Sequence, residues 1–339
     1  MQSLFATARL ALAGALVGAL ALAAPAFAPA AHAQDAVPSK PEAGTFKLGV
    51  EPWLGYGLWH VAADKGFFKD QGVDVNIVNF TQDKDINAAL ASGDLDGASI
   101  ATHTAMAMAA AGLPIKIVML LDISNEADAI LAGKDITSIK DLKGKQVAFE
   151  QGTTSDILIN YALAANGMTI ADIQVVPMPA SDAGAALIAG RVPVAVTYEP
   201  YLTMARNQDK NVKLLFTAGT DPGLISDVLV VRDDVVKSKP GQIRALVQAW
   251  AAAYTDYEKN KTADRAIISK AVGATPDELA TAFDGVKYFS LAENKKMLTG
   301  DFTNKVFDDV AAATKKAGIL QTDVSAKTLI DPAFVEAAQ

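Results

Sequence analysis

The side chains best suited to binding a small molecule stand together in one predicted turn. Glu51 supplies a carboxylate, and Trp53, Tyr56 and Trp59 supply aromatic rings. The turn follows an apolar segment, Phe46–Val50, that predicts a β-strand. Ligands of open α/β sheets bind at the carboxyl ends of the strands. The turn is therefore a candidate ligand-binding segment.

Further carboxylates fall at predicted strand ends or at crossings between strands, namely Asp122, Glu150, Glu199 and Asp227. Lys and Arg are absent from four of the candidate segments, residues 51–61, 101–104, 122–131 and 198–201. Acids beside aromatic rings suit a positive nitrogen group, because a ring face attracts a cation by ~0.5–2 kcal/mol and carboxylates pair with it. We therefore expect a cationic or zwitterionic ligand, such as a guanidinium, an amine or an aminosulfonate.

An anion is the alternative ligand. Residues 152–155, Gly-Thr-Thr-Ser, open a predicted helix, where free N–H groups and hydroxyls can hold a negative group. The same residues also make an ordinary helix cap, with Asp156 well placed for the helix dipole. Thr102 and Thr104 open another helix, and the same two interpretations apply there. Nitrate or an alkanesulfonate would suit these helix ends.

Several other classes of function are disfavoured. The chain has no cysteine, and neither His60 nor His103 has a second histidine four residues away, so we expect no metal site and no cofactor. No Gly-x-Ser-x-Gly turn or Walker-type phosphate loop occurs, so we expect no enzyme. The net charge of −8 argues against nucleic acid, which needs a basic surface.

Residues 1–33 predict a cleaved signal peptide. Arg9 is the only charged side chain among them, residues 10–27 are almost wholly apolar, and residues 31–33 read Ala-His-Ala, a typical cleavage pattern. A membrane anchor is the competing interpretation, but two prolines interrupt the run before it reaches the ~20 residues of a spanning helix. We therefore expect a periplasmic protein that begins with a flexible tail, residues 34–44.

Strand and helix patterns alternate after Gly44 and stop near Val231, and almost everything after Lys239 is predicted to be helical. Alternation of this kind is typical of mostly parallel sheets with helices on both faces. Two segments, residues 122–133 and 217–231, suggest crossings between two lobes. We expect lobe one to contain residues 45–124 and 227–339, and lobe two residues 125–226.

Three segments carry a resemblance to a known family. They are EPWLGYGLWHVAADKGFF, ALASGDLDGASIATHTAMAMAAAG, and SIKDLKGKQVAFEQGTTSDILI followed by RVPVAVTYEPYL. In this order they resemble periplasmic solute-binding proteins of the nitrate, sulfonate, taurine and thiamine-precursor type, which feed ABC importers. The resemblance implies a type II-like two-lobed α/β fold, two crossovers, a helical C-terminal tail and a membrane permease as partner.

The resemblance also implies which residues contact the ligand: Glu51, Trp53, Tyr56, Thr102, Asp122, Gly152, Thr153, Thr154 and Glu199. The return crossing adds Asp227. We expect a monomer that captures a small polar nitrogen- or sulfur-containing solute between its lobes and delivers it to the permease. A ligand sensor that contacts a receptor kinase is a further alternative with the same fold.

Overall fold

Within residues 37–339, the part of the chain that the computed structural model describes, eleven strands form two sheets. The predicted signal peptide lies outside these residues. The strands are β1 (Thr45–Val50), β2 (Asp74–Asn79), β3 (Gly97–Ala101), β4 (Ile115–Ser124), β5 (Asp128–Ala132), β6 (Gln146–Phe149), β7 (Gln174–Pro177), β8 (Val194–Tyr198), β9 (Lys213–Thr217), β10 (Ser226–Arg232) and β11 (Val286–Tyr288).

The two sheets share one topology. The first has the order β11-β4-β10-β3-β1-β2, and the second has the order β7-β6-β8-β5-β9. In the first sheet β4 has two antiparallel neighbours, β10 and β11. β10, between β3 and β4, and β5, between β8 and β9, also run antiparallel to both neighbours, and these two are the strands that arrive from the other sheet. A crossing chain enters at the edge where the parallel strands end, so it must run against them.

Helices flank both sheets. They are α1 (Gly57–Asp64), α2 (Phe67–Asp70), α3 (Asp83–Ser92), α4 (Thr102–Ala110), α5 (Thr154–Ala165), α6 (Ala180–Ile188), α7 (Tyr201–Gln208), α8 (Asp233–Ser238), α9 (Pro240–Ala271), α10 (Leu291–Leu298), α11 (Phe307–Lys316), α12 (Ala326–Leu329) and α13 (Ala333–Ala337). Short 3-10 turns cover Leu54–Tyr56, Ile139–Leu142, Ile170–Asp172, Ala218–Thr220 and Ala282–Gly285, and a π-helical turn covers Phe302–Val306. Among these described helices, none is both long and apolar enough to span a bilayer.

The core of the first sheet fixes the base of the turn after β1. Phe46, Leu48 and Val50 are fully buried in β1. Trp59, on the helix that follows, is also fully buried and packs against Trp250 of α9, with ring centroids 4.7 Å apart. The turn is therefore held between a buried strand and a buried helix, and Trp59 serves the core.

The start of α9 is capped by a distant residue. Pro240 occupies the first turn, where a missing N–H costs nothing. The Glu42 carboxylate accepts hydrogen bonds from the N–H groups of Gly241 and Gln242, at 3.0 and 2.9 Å. These donors have no partner inside the helix, and a negative group is favourable there. The contact joins residues 37–44 to the first sheet's helical layer.

The predicted α/β fold, with two sheets, two crossings and a largely helical C-terminal part, is confirmed. Four of the six strands in the first sheet and four of the five in the second run in one direction. The C-terminal part adds one short strand, β11, which pairs with β4. Three residues are too few to show an alternating pattern, so the sequence predicts no strand there.

Candidate ligand-binding site

A cavity of about 40 Å³ lies between the facing edges of the two sheets. About 10–15 Å³ of such space holds one water molecule, so the cavity has room for a small ligand only. Its lining is Glu51, Trp53, Tyr56, Asp83, Ile86, Asn87, Ile100, Ala101, Thr104, Asp128, Thr154, Tyr198, Ile225 and Asp227. The cavity is therefore small, partly aromatic and rich in carboxyl groups.

The topology explains why these side chains meet. Glu51 directly follows β1, Ala101 ends β3, and Tyr198 ends β8, so all three lie at carboxyl ends of parallel strands. Asp227 and Asp128 lie near the amino ends of the two antiparallel strands, which reach the same edges. Both crossings therefore bring an acid to the cavity.

One aromatic contact spans the two sheets. The rings of Trp53, after β1, and Tyr198, at the end of β8, meet edge to face with centroids 5.8 Å apart. Trp53 is only 6% exposed, and its Nε1 donates a hydrogen bond to Asp122 Oδ1 at 3.1 Å. The contact closes one wall of the cavity and orients the indole.

Asp122 and Asp227 form a buried carboxyl pair. Tyr56 Oη donates to Asp227 Oδ1 at 3.1 Å, and the two acids lie within hydrogen-bonding reach of each other. Burial raises the pKa of Asp227 to about 7. Burial, followed by the Asp227 charge, raises the pKa of Asp122 well above its usual value. Both acids therefore resist ionisation, because neighbouring carboxylates in a buried site repel each other.

Glu51 and Asp83 form a second pair, on the other side of β3. Burial raises the pKa of Glu51 well above its usual value, and the neighbouring Asp83 raises it further. Burial also raises the pKa of Asp83. Asp128 adds a fifth carboxyl group from the second sheet, and burial raises its pKa to about 7. Burial is the largest cause of the raised pKa for all three groups.

No Lys or Arg belongs to the cavity lining given above for residues 37–339. In the same part of the chain, no three His, Asp or Glu side chains converge in the way a metal ion needs. The described lining therefore brings carboxyl groups together with no basic side chain among them.

Five of the predicted contact residues line the cavity: Glu51, Trp53, Tyr56, Thr154 and Asp227. Asp122 lies directly behind them, bonded to Trp53. Gly55 allows this arrangement, because a Cβ at that position would overlap both the Asp122 carboxylate and Trp53 Nε1. Direct contact of these residues with a ligand stays a prediction.

Other predicted contact residues have partners within the protein. Thr102 Oγ1 and Ser226 Oγ lie 2.8 Å apart and link β10 to the start of α4. Gly152 N donates to Asp156 Oδ2 at 2.9 Å. Thr153 Oγ1 donates to the Glu150 carbonyl at 2.9 Å and accepts from the Ser155 N–H at 3.3 Å. These groups cap α5, so Thr154 is the residue of that turn that lines the cavity.

Glu199 is engaged in a helix cap. Its carboxylate accepts from both the N–H and the Oγ1 of Thr203, at 3.0 and 2.7 Å, and it is not among the lining residues. We expect Glu199→Gln to lower the free energy of unfolding by about 1.5–3 kcal/mol, the range for a hydrogen bond to a charged group. Chemical denaturation and a binding titration check this together. Tenfold weaker binding at unchanged stability would instead make Glu199 a ligand contact.

Asp83 and Asp128 line the cavity although they were not among the predicted contact residues. Asp83 begins α3, directly after the loop that follows β2, so the strand-end rule could have found it. Asp128 can be recognised from its position in the chain order. It begins β5, the strand after a crossing, and a strand of this kind has its amino end at the cavity.

The fold and the position of the cavity define the class. Two α/β sheets of identical topology, joined by two crossings, with a cavity between their carboxyl-terminal edges, make the two-lobed fold of the periplasmic binding proteins. The chain belongs to the NMT1/THI5-like family, whose model matches residues 57–262, more than half of the chain. Both findings confirm the predicted family resemblance.

Individual relatives are distant. A binding protein of Brucella abortus is 26% identical over 58% of this chain, and the chain spans only 62% of that relative's length. The taurine-binding periplasmic protein of Escherichia coli is 23% identical over 76% of this chain and 82% of its own. The alkanesulfonate-binding protein of Xanthomonas axonopodis pv. citri, solved with MOPS, has a TM-score of 0.71 at 17% identity, covering 86% of this chain and 99% of its own.

Proposed function

We propose that this chain is the periplasmic substrate-binding component of an ABC importer and captures a small solute that carries a positive nitrogen group. The family and the fold support the transport role. The described lining of the cavity is rich in carboxyl groups and contains no Lys or Arg, which supports a positive charge on the ligand. Catalysis is not part of the proposal.

The observation that carries the proposal is the unbalanced charge of the cavity. Glu51, Asp83, Asp128 and Asp227 all line a cavity of about 40 Å³, and Asp122 stands behind them, bonded to Trp53. Placing a bare anion there would add charge of the same sign in a poorly solvated space, which costs energy without a compensating cation. A cation would relieve the repulsion and gain contact with aromatic rings.

The names of the relatives support the alternative ligand. Taurine is a zwitterion, and alkanesulfonates are anions. In this chain an anionic group would have three helix starts in the described lining: α3 at Asp83, α4 at Ala101 and Thr104, and α5 at Thr154. A zwitterion could place its ammonium among the acids and its anionic group there, so taurine belongs in any ligand screen.

The transport role implies closure of two lobes. We propose that the first sheet is the core of lobe one, residues 45–124 and 227–339, and the second sheet the core of lobe two, residues 125–226. The chain crosses between them at the β4–β5 and β9–β10 connections. Closure about such connections is a common use of this architecture, and the closed form would dock on the permease.

A thermal-shift screen tests the proposed function. A ligand that binds only the folded state raises the melting temperature. With the purified mature protein we expect a rise with guanidinium, small amines or taurine, and none with nitrate or unaminated alkanesulfonates. A rise with nitrate or plain sulfonates alone would keep the binding role and refute the positive charge of the ligand.

A further inference from the structure

The two carboxyl pairs stand on opposite sides of one strand. In the first sheet β3 lies between β10 and β1, and the backbone of Asp227 is paired directly with Ala101 at the end of β3. Glu51 follows β1 on the other side of β3. Neighbouring strands are about 4.8 Å apart, so the backbones that carry the two pairs are about 10 Å apart across Ala101. A small molecule above Ala101 would have acids on both sides.

A third acid approaches from the opposite sheet. Asp128 begins β5, where it pairs with Tyr198, and both side chains line the cavity. Ala101 carries only a methyl group, which leaves space above the end of β3. Thr104, one helical turn further along the chain, also lines this space and is mostly buried. The carboxyl groups therefore surround the space above Ala101 from three directions.

An unpartnered acceptor points to a missing donor in this space. Glu51 lines the cavity, is only 9% exposed, and has no hydrogen-bond partner for its Oε1. Asp227 represents the other pair in the lining, and its Oδ1 accepts from Tyr56. Asp122 Oδ2 lies against Gly55, outside the lining. Buried acceptors of this kind are costly unless a ligand or a proton satisfies them.

Resting on the proposed function, we propose that the cavity is specific for a guanidinium or amidinium group, which lies above Ala101 and donates to both carboxyl pairs at once. Such a group is planar, and its N–H donors point outward in several directions of the plane. A primary ammonium has its donors on one side only, because the carbon chain occupies the other. The planar cation also stacks on rings, and Trp53 and Tyr198 form part of the lining.

Calorimetric titrations compare guanidinium chloride with methylammonium, 1,3-diaminopropane and taurine. Millimolar guanidinium is far below the molar concentrations that unfold proteins. We expect guanidinium and acetamidinium to bind at least roughly tenfold more tightly than methylammonium, because they reach both pairs. Equal or tighter binding of methylammonium, the diamine or taurine overturns the inference and leaves the proposed function intact. Binding of nitrate alone refutes the inference and the positive charge of the ligand, and keeps the binding role.

Variants test the bridge between the pairs. Glu51→Gln and Asp227→Asn each change one side, and we expect each to weaken guanidinium binding roughly tenfold or more. Glu126→Gln removes an exposed acid from the crossing between β4 and β5 and is the matched control, with unchanged affinity expected. Melting temperatures identify any variant that does not fold. A loss on one side only, in folded variants, contradicts a ligand that bridges both pairs.

A further variant, Ala101→Val, tests the proposed position of the ligand by a change in side-chain size alone. Ala101→Val adds two methyl groups above β3 and leaves every acid in place. We expect roughly tenfold weaker guanidinium binding, since the added bulk occupies the proposed position of the ligand. Full affinity in a folded Ala101→Val protein would place the ligand elsewhere in the cavity and overturn the inference.

Discussion

Replacing Asp227 by Asn is expected to stabilise the ligand-free protein at about pH 8 and to weaken ligand binding about 10–100-fold. The pKa of Asp227 is raised by burial to about 7, so at that pH the carboxylate is mostly ionised beside Asp122 and without a cation. Asparagine has the same shape, can still accept from Tyr56, and removes the charge. A cationic ligand loses a charged hydrogen bond of about 1.5–3 kcal/mol.

The sign of the stability effect follows from linkage. A carboxyl group whose pKa is raised by folding contributes stability at low pH, and this contribution is lost as the pH rises through the folded value, here about 7. The melting temperature of the unsubstituted protein should therefore fall as the pH rises from about 4, the pKa of an unfolded-chain aspartate, to about 7. At about pH 8 we expect Asp227→Asn to melt about 2–4 °C higher, and at about pH 3.5 the difference should vanish.

Thermal melts at both pH values and a guanidinium titration check this prediction. Glu126→Gln serves again as the control, because it removes one exposed acid without touching the cavity. An Asp227→Asn protein that melts lower at high pH and keeps its affinity would show that Asp227 supports the fold and not the ligand.

Binding of a cationic ligand is expected to release protons from the cavity acids. The affinity should therefore rise with pH and level off above about pH 7, the pKa of Asp128 and Asp227. The groups that face one another there are Glu51, Asp83, Asp122, Asp128 and Asp227, together with Tyr56 and, nearby, Glu150. Asp128 and Asp227 have pKa values of about 7 in the ligand-free protein, chiefly because of burial. A cation favours their ionised forms and lowers these values.

Below about pH 7 we expect the affinity to rise by up to about tenfold per pH unit for each proton released. Titration calorimetry in two buffers of different ionisation enthalpy counts the protons directly. An anionic ligand would take up protons, and its affinity would fall as the pH rises. Affinity that is independent of pH would mean that the ligand does not contact the paired acids.

The fold class and the acidic and aromatic composition of the cavity can be predicted from the sequence alone. Alternating strand and helix patterns predict the sheets because side-chain periodicity is local. The group of Glu51, Trp53 and Tyr56 is also local, since it occupies one turn after one strand. That acids outnumber bases at the strand ends can be read along the chain, and the preference for a cation follows from it.

The arrangement of the acids around the cavity depends on the tertiary structure. Asp122 meets Asp227 because β10 returns from the second sheet and inserts between β3 and β4, a pairing of residues more than one hundred positions apart. Asp128 reaches the cavity because β5 runs antiparallel to its neighbours. Glu199, which shares the same kind of strand-end position, turns to Thr203 instead. Strand order and side-chain partners depend on contacts between distant segments, and such contacts leave no periodic signal in the sequence.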